Sequence, residues 1–134
     1  VNKWPGGAVD VEATLVYYDS PGQIEHYWRV LKRGFWHVAV CLPIYVDGEV
    51  AGHMIVNPAM PLVQAALATQ PLVEVFPGAT FQYVKIRRSL GDPPYAILIW
   101  ATCTSIAKAF LGIRAPLVWT PYQLFKYILR NHPE

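Results

Sequence analysis

The chain has only two cysteines, Cys41 and Cys103, too few for the disulfide framework of a small secreted domain. Nothing near the N-terminus joins basic residues to an apolar signal core, so the expected setting is a reducing one in which both thiols stay free. Charge is also scarce. Asp, Glu, Lys and Arg make up 15% of the 134 residues, the net charge is +2, and the acidic residues are scattered. That balance creates no strong field and argues against a specific nucleic-acid partner or an anionic membrane surface. There is no Gly-rich phosphate loop, no GxSxG elbow, and no carboxylate pair spaced for general acid–base work. Repeats, low-complexity stretches and linkers are absent too, which predicts a single domain over 1–134 whose core needs no disulfide or metal.

What the chain has in excess is apolar surface. Hydrophobic residues make up 54% of it, which predicts burial against partner subunits, with Trp4 and Tyr127 as candidate anchors. The longest apolar stretch, from Tyr95 to Ile113, follows Pro93-Pro94 and is interrupted by Thr102, Thr104, Ser105 and Lys108. It reads as a buried strand, Tyr95 to Trp100, followed by a helix, and not as a membrane span.

Periodicity and turn residues divide the rest. Val9 to Tyr18 reads as a strand ended by Ser20-Pro21-Gly22, while residues 23–32 fit either a helix or a strand. Phe35–Val46 and Glu49–Val56 flank Asp47-Gly48, a strong hairpin signal. Pro58 to Thr69, with Pro61 near its start, predicts a short helix, and Leu72–Phe76 and Phe81–Arg88 read as strands parted by Pro77-Gly78. Thr102–Leu111 predicts a helix closed by Gly112. A last helix opens on Thr120-Pro121, with Tyr122, Phe125, Ile128 and Leu129 as its buried stripe. The whole predicts an α+β domain, an antiparallel sheet packed against the helix that begins near Cys103.

Three residues in this plan carry chemistry. Cys103 opens a helix, where unpaired N–H groups and the positive dipole end favour a thiolate and are expected to lower its pKa. His37 on the first hairpin strand would take the thiol proton, and Asn57 at the end of the second would orient the imidazole. The Cys103 N–H would be one oxyanion donor. On the other reading, Cys103 is a small buried hydrophobe and His37 a satisfied core histidine. Hairpin arithmetic bears on the choice. With a strict two-residue loop, residue 38 faces residue 57, and Asn57 points to the face opposite His37. The triad therefore requires one extra residue, supplied by a bulge near Pro43 or by a longer loop.

The pieces His37-Val38, Asn57-Pro58, Thr102-Cys103, Leu111-Gly-Ile-Arg-Ala-Pro116 and Thr120-Pro-Tyr-Gln-Leu124 resemble a circularly permuted papain-like (NlpC/P60-type) cysteine hydrolase domain, and more narrowly small phage-encoded proteins of that type. The resemblance covers roughly residues 28 to 129. It implies the permuted papain-like order His, Asn, Cys and catalytic roles for Cys103, His37 and Asn57, without a cofactor. The implied substrate is an amide bond in a peptide or a peptidoglycan cross-link. It further implies a place in a phage virion, in the tail or head–tail region, or in the host cytoplasm before assembly. The alternative is a non-catalytic virion or tail component that uses the fold as a scaffold and binds other virion subunits through its apolar surface.

Remaining polar and aromatic residues fit plainer roles. Zinc is disfavoured because His37 and Cys41, four strand residues apart, stand roughly 13 Å from each other. Cys41 reads as a core or sheet-face thiol and His53 as a surface or hairpin residue, while His26 and His132 have no visible partners. Lys85, Arg87 and Arg88 read as a solvated sheet edge. Trp28, Phe35 and Trp36 read mainly as core, and Trp100 and Trp119 as wedges between the cysteine helix and the sheet.

Overall fold

The computed structural model describes residues 8–19, 32–59, 62–89, 103–113, 115 and 117–132. Five strands and three helices follow in the order β1 (Ala8–Tyr18), β2 (His37–Val46), β3 (Glu49–Ala59), β4 (Leu62–Ala68), α1 (Leu72–Val75), β5 (Thr80–Ser89), α2 (Cys103–Leu111) and α3 (Pro121–Asn131). The strands form one antiparallel sheet in the order β4-β3-β2-β1-β5. The domain is thus α+β, as its periodicities predict. The strand expected at Tyr95–Trp100, the segment 23–31 and residues Trp4, His26, Trp28, Pro61, Thr102, Arg114 and Pro116 lie outside the described residues.

Strand alternation divides the core in two. On one face Ala13, Leu15, Tyr17, Val38, Val40, Val56 and Val84 are buried beneath Ala107 and Leu111 of α2 and Leu124 and Ile128 of α3. On the other, Val16, Ala39, Cys41 and Ile55 pack against Leu72, Val75 and Phe76 around α1. Gln82 joins the sheet to α3: it accepts the Tyr17 hydroxyl at 2.7 Å and donates to the Phe125 carbonyl at 3.0 Å.

The hairpin fixes the register. Asp47 and Gly48 both adopt positive φ, 54° and 81°, the twist-matched two-residue turn that an Asp-Gly pair favours. Val46 pairs with Glu49 and Tyr45 with Val50, but the next pair is Ile44 with Gly52. Ala51 is therefore the extra residue of a β-bulge beside Pro43, as the triad required. Gly52 permits the close approach of β4 just past the bulge, since a Cβ there would lie 2.6 Å from the Ala68 carbonyl oxygen.

Three expectations need correction. Among the described residues of 58–69 there is no helix: β3 runs to Ala59 and β4 pairs with it from Leu62 to Ala68. The helix preference of its alanines is worth only tenths of a kcal/mol per residue and yields to the hydrogen-bond ladder that β3 offers. Leu72–Val75 is a single helical turn and not a strand, held between Pro71 and Pro77 with Phe76 N–H bonded to the Leu72 carbonyl at 2.8 Å. On α3 the stripe includes Leu124, while Leu129 is 56% exposed. The rest of α3 follows the sequence: Thr120 caps it, Pro121 occupies the first turn, and Gln123 completes a reciprocal capping box.

Candidate functional site

The bulge decides where Asn57 points. With Val40 paired to Val56, the register set beyond the bulge places Asn57 opposite Ala39, on the face shared by His37, Ala39 and Cys41. The two side chains meet: His37 Nε2 lies 2.5 Å from Asn57 Oδ1. An amide oxygen only accepts, so Nε2 carries the ring proton and Nδ1 keeps its lone pair. His37 is 3% exposed, and burial lowers its pKa, partly offset by the bond to Asn57. The ring is therefore neutral at pH 7, the form that a general base requires.

Cys103 arrives from the other side. It is the first residue of α2, which packs against β2 and β3 on the face of Val38 and Val40, opposite that of His37. Its sulfur nevertheless lies close enough to the Val38 N–H for that group to lower the thiol pKa. The sulfur thus lies near β2 at Val38, the residue after His37. The β2–β3 pairing ends nearby, at Val40 and Val56. Tyr18, on the His37 face, is close enough to feel the charge of Cys103.

The thiol is not a resting thiolate. Burial raises its pKa, and the nearby Val38 N–H, Thr104 side chain, and Thr104 and Cys103 N–H groups only partly oppose this. The lowering expected from the helix N-terminus is present but outweighed. Thr104 Oγ1 is wholly buried and has no well-formed hydrogen bond; its polar influence falls on the Cys103 sulfur. The expected sulfur–imidazole bond is also replaced: the sulfur lies near the Val38, Thr104 and Cys103 N–H groups, and the imidazole bonds Asn57. A neutral thiol, close to the backbone of Val38, and a neutral imidazole on the preceding residue thus sit on opposite faces of β2.

Tyr18 completes the group and was not singled out by sequence reasoning. It pairs directly with His37 across β1 and β2, its ring lies 5.2 Å from the imidazole, and its hydroxyl donates to Asn57 Oδ1 at 3.4 Å. Its side of β1 was legible from alternation, but its partner was not, because the long β1–β2 connection does not fix the register. Tyr18 also lines a cleft of about 410 Å³ with Asp19, Gly34, Phe76, Pro77 and Thr80. Asp19 Oδ1 accepts the Gly34 N–H at 2.7 Å, tying the entry of β2 to the end of β1.

Other candidates separate from this site. Cys41 is fully buried in the second core and its thiol is pushed up to about 12. His53, partly buried and opposite Pro43, stands near the bulge. Among the described residues no three His, Cys, Asp or Glu side chains converge as a metal site, and no helix is long and apolar enough to cross a membrane. Lys85 and Arg87 pair with Asp10 at 4.0 and 3.5 Å on the solvated β5 edge. Phe35 packs among Tyr17, Tyr122 and Phe125. Trp119 is 72% exposed and does not wedge α2 against the sheet, and Tyr127 packs partly against the core, so it is a poor surface anchor. No family model matches the chain, and no curated protein or solved structure shows significant similarity to it.

Proposed function

We propose that the domain is a thiol amide hydrolase of permuted papain-like order, with Cys103 as nucleophile, His37 as general base and Asn57 as the group that orients His37. The observation that carries this reading is the bulge-dependent pairing of His37 with Asn57, together with a helix-initiating cysteine near Val38, the residue after His37. In the reaction, His37 Nδ1 takes the thiol proton as the sulfur attacks the acyl carbon, and the carbonyl oxygen becomes an oxyanion facing the Cys103 N–H. The imidazolium then returns its proton to the departing amine, leaving a thioester. Water, deprotonated by His37, cleaves that thioester and restores the thiol. Because the resting pair is neutral, the thiol gives up its proton to His37 only as the sulfur bonds to the acyl carbon.

The resemblance to phage-encoded proteins points to a peptide or peptidoglycan cross-link as substrate, in a protein that travels in the virion. Amine release from peptidoglycan stem peptides tests this directly. Wild-type protein should release amine and Cys103→Ser should not, with unchanged folding, because the substitution conserves packing volume. Equal release by both proteins would refute the assignment.

A second reading, a virion scaffold without turnover, is favoured by one observation: Leu117, Trp119 and Leu129 are 84%, 72% and 56% exposed around α3. Apolar surface of that kind suits contact with neighbouring subunits. Under this reading Cys103→Ser leaves infectivity intact, and Leu129→Glu disrupts particle assembly.

A further inference from the structure

Asn57 can orient His37 only if something holds Asn57. Its Oδ1 receives two groups, the imidazole Nε2 and the Tyr18 hydroxyl. The tyrosine is itself held: it pairs with His37 across the β1–β2 ladder, its ring packs edge-on to the imidazole at 5.2 Å, and Phe76 backs it at 5.4 Å. A hydroxyl that donates to the amide oxygen favours the amide orientation in which that oxygen also accepts from the ring, and so favours the proton on Nε2.

We propose that Tyr18 is the positioning residue of this site: its hydroxyl, bonded to Asn57 Oδ1, locks the amide so that His37 keeps its proton on Nε2 and presents Nδ1 as the base. Its consequence for turnover rests on the thiol-hydrolase reading; its consequence for the imidazole does not. Because burial also raises the phenol pKa, the hydroxyl remains a donor throughout the neutral and mildly alkaline range. Tyr18 also forms a wall of the 410 Å³ cleft, so a ligand seated there bears on the residue that sets the tautomer.

The test uses protein labelled with ¹⁵N-histidine, in which ring nitrogen shifts distinguish the two tautomers. Wild type should show His37 as a single Nε2–H form above its pKa. Tyr18→Phe keeps the ring against His37 and Phe76 and removes only the hydroxyl, so it should fold and show a mixture of tautomers, with Asn57→Ala as the limiting case. Loss of one neutral hydrogen bond should also slow Cys103 alkylation by iodoacetamide at pH 7 about two- to tenfold. An Nδ1–H form in wild type, or an unchanged single tautomer in Tyr18→Phe, would overturn the proposal. A changed tautomer with unaltered Cys103 labelling in both variants would support the positioning role and count against the hydrolase reading instead.

Discussion

The two thiols of this chain should differ sharply in reactivity. Cys41 is fully buried, and its thiol is pushed from 9.0 to about 12 by burial. At pH 8 a thiol of pKa 9 is roughly one-tenth thiolate and one of pKa 12 roughly one part in ten thousand, about a thousandfold loss of nucleophile. The higher pKa makes each thiolate intrinsically more nucleophilic, which with a Brønsted slope of about 0.45 recovers a factor of roughly 20. Cys41 should therefore label about 50-fold more slowly than an ordinary thiol before its occlusion is counted. Cys103 is also raised by burial, but it is partly exposed and its sulfur is surrounded by the Val38, Thr104 and Cys103 N–H donors. The assay is iodoacetamide labelling of folded protein from pH 6 to 10, with each cysteine quantified by peptide mass spectrometry. Cys103 should label first at every pH, its rate should still be rising at pH 9, and His37→Gln should slow it near neutrality by removing the base. Faster labelling of Cys41, or equal slow labelling of both, would refute the electrostatic reasoning.

Three further outcomes follow from single contacts. Gly52→Ala brings a methyl group to 2.6 Å from the Ala68 carbonyl and should destabilise the domain by about 1–3 kcal/mol, lowering Tm by roughly 3–10 °C in a calorimetric scan. Lys108 donates to the Ala115 and Val118 carbonyls at 2.9 and 2.8 Å, so Lys108→Met should loosen the α2–α3 connection and cost about 1–3 kcal/mol in a urea titration. His37 has a depressed pKa in the folded state, so the unfolded chain binds more protons between that value and about 6.5; the contribution of His37 is present above pH 6.5 and falls as the pH drops below it. His37→Gln should flatten that part of the stability–pH curve, and an unchanged slope would contradict the burial of a neutral ring.

Much of the site was legible because it rests on local rules. Asp47-Gly48 announced the hairpin, the two-residue loop placed His37 and Asn57 on opposite faces, and the need for one extra residue near Pro43 followed. Thr120-Pro121 marked the last helix by the same kind of local chemistry. What failed depended on distant partners. The Ala-rich segment before Thr69 becomes a strand only because β3 lies beside it, and Leu72–Val75 becomes a helical turn held between two prolines. Tyr18 and Val38 were out of reach for a related reason: their roles depend on a β1–β2 register and an α2 docking position that no short-range pattern encodes. The direction of the Cys103 pKa was misjudged because the helix terminus is visible in sequence, whereas burial is a property of the packed domain.

The bulge at Ala51 also constrains how this chain can change in length. Between His37 and Asn57 the chain makes one turn and one odd step, and at this length the His37–Asn57 pairing depends on that step. Lengthening the Asp47-Gly48 tip by one residue on each strand preserves it, and the hairpin can grow outward by pairs without disturbing the core below. A single insertion or deletion in that stretch has two ways to be absorbed. It can reset the bulge, or it can turn every β3 side chain beyond it, exchanging Ile55 and Val56 between the two cores and swinging Asn57 away from the imidazole. Length variants of this hairpin that keep the His37–Asn57 pair should therefore either differ by even numbers of residues or gain or lose the bulge itself.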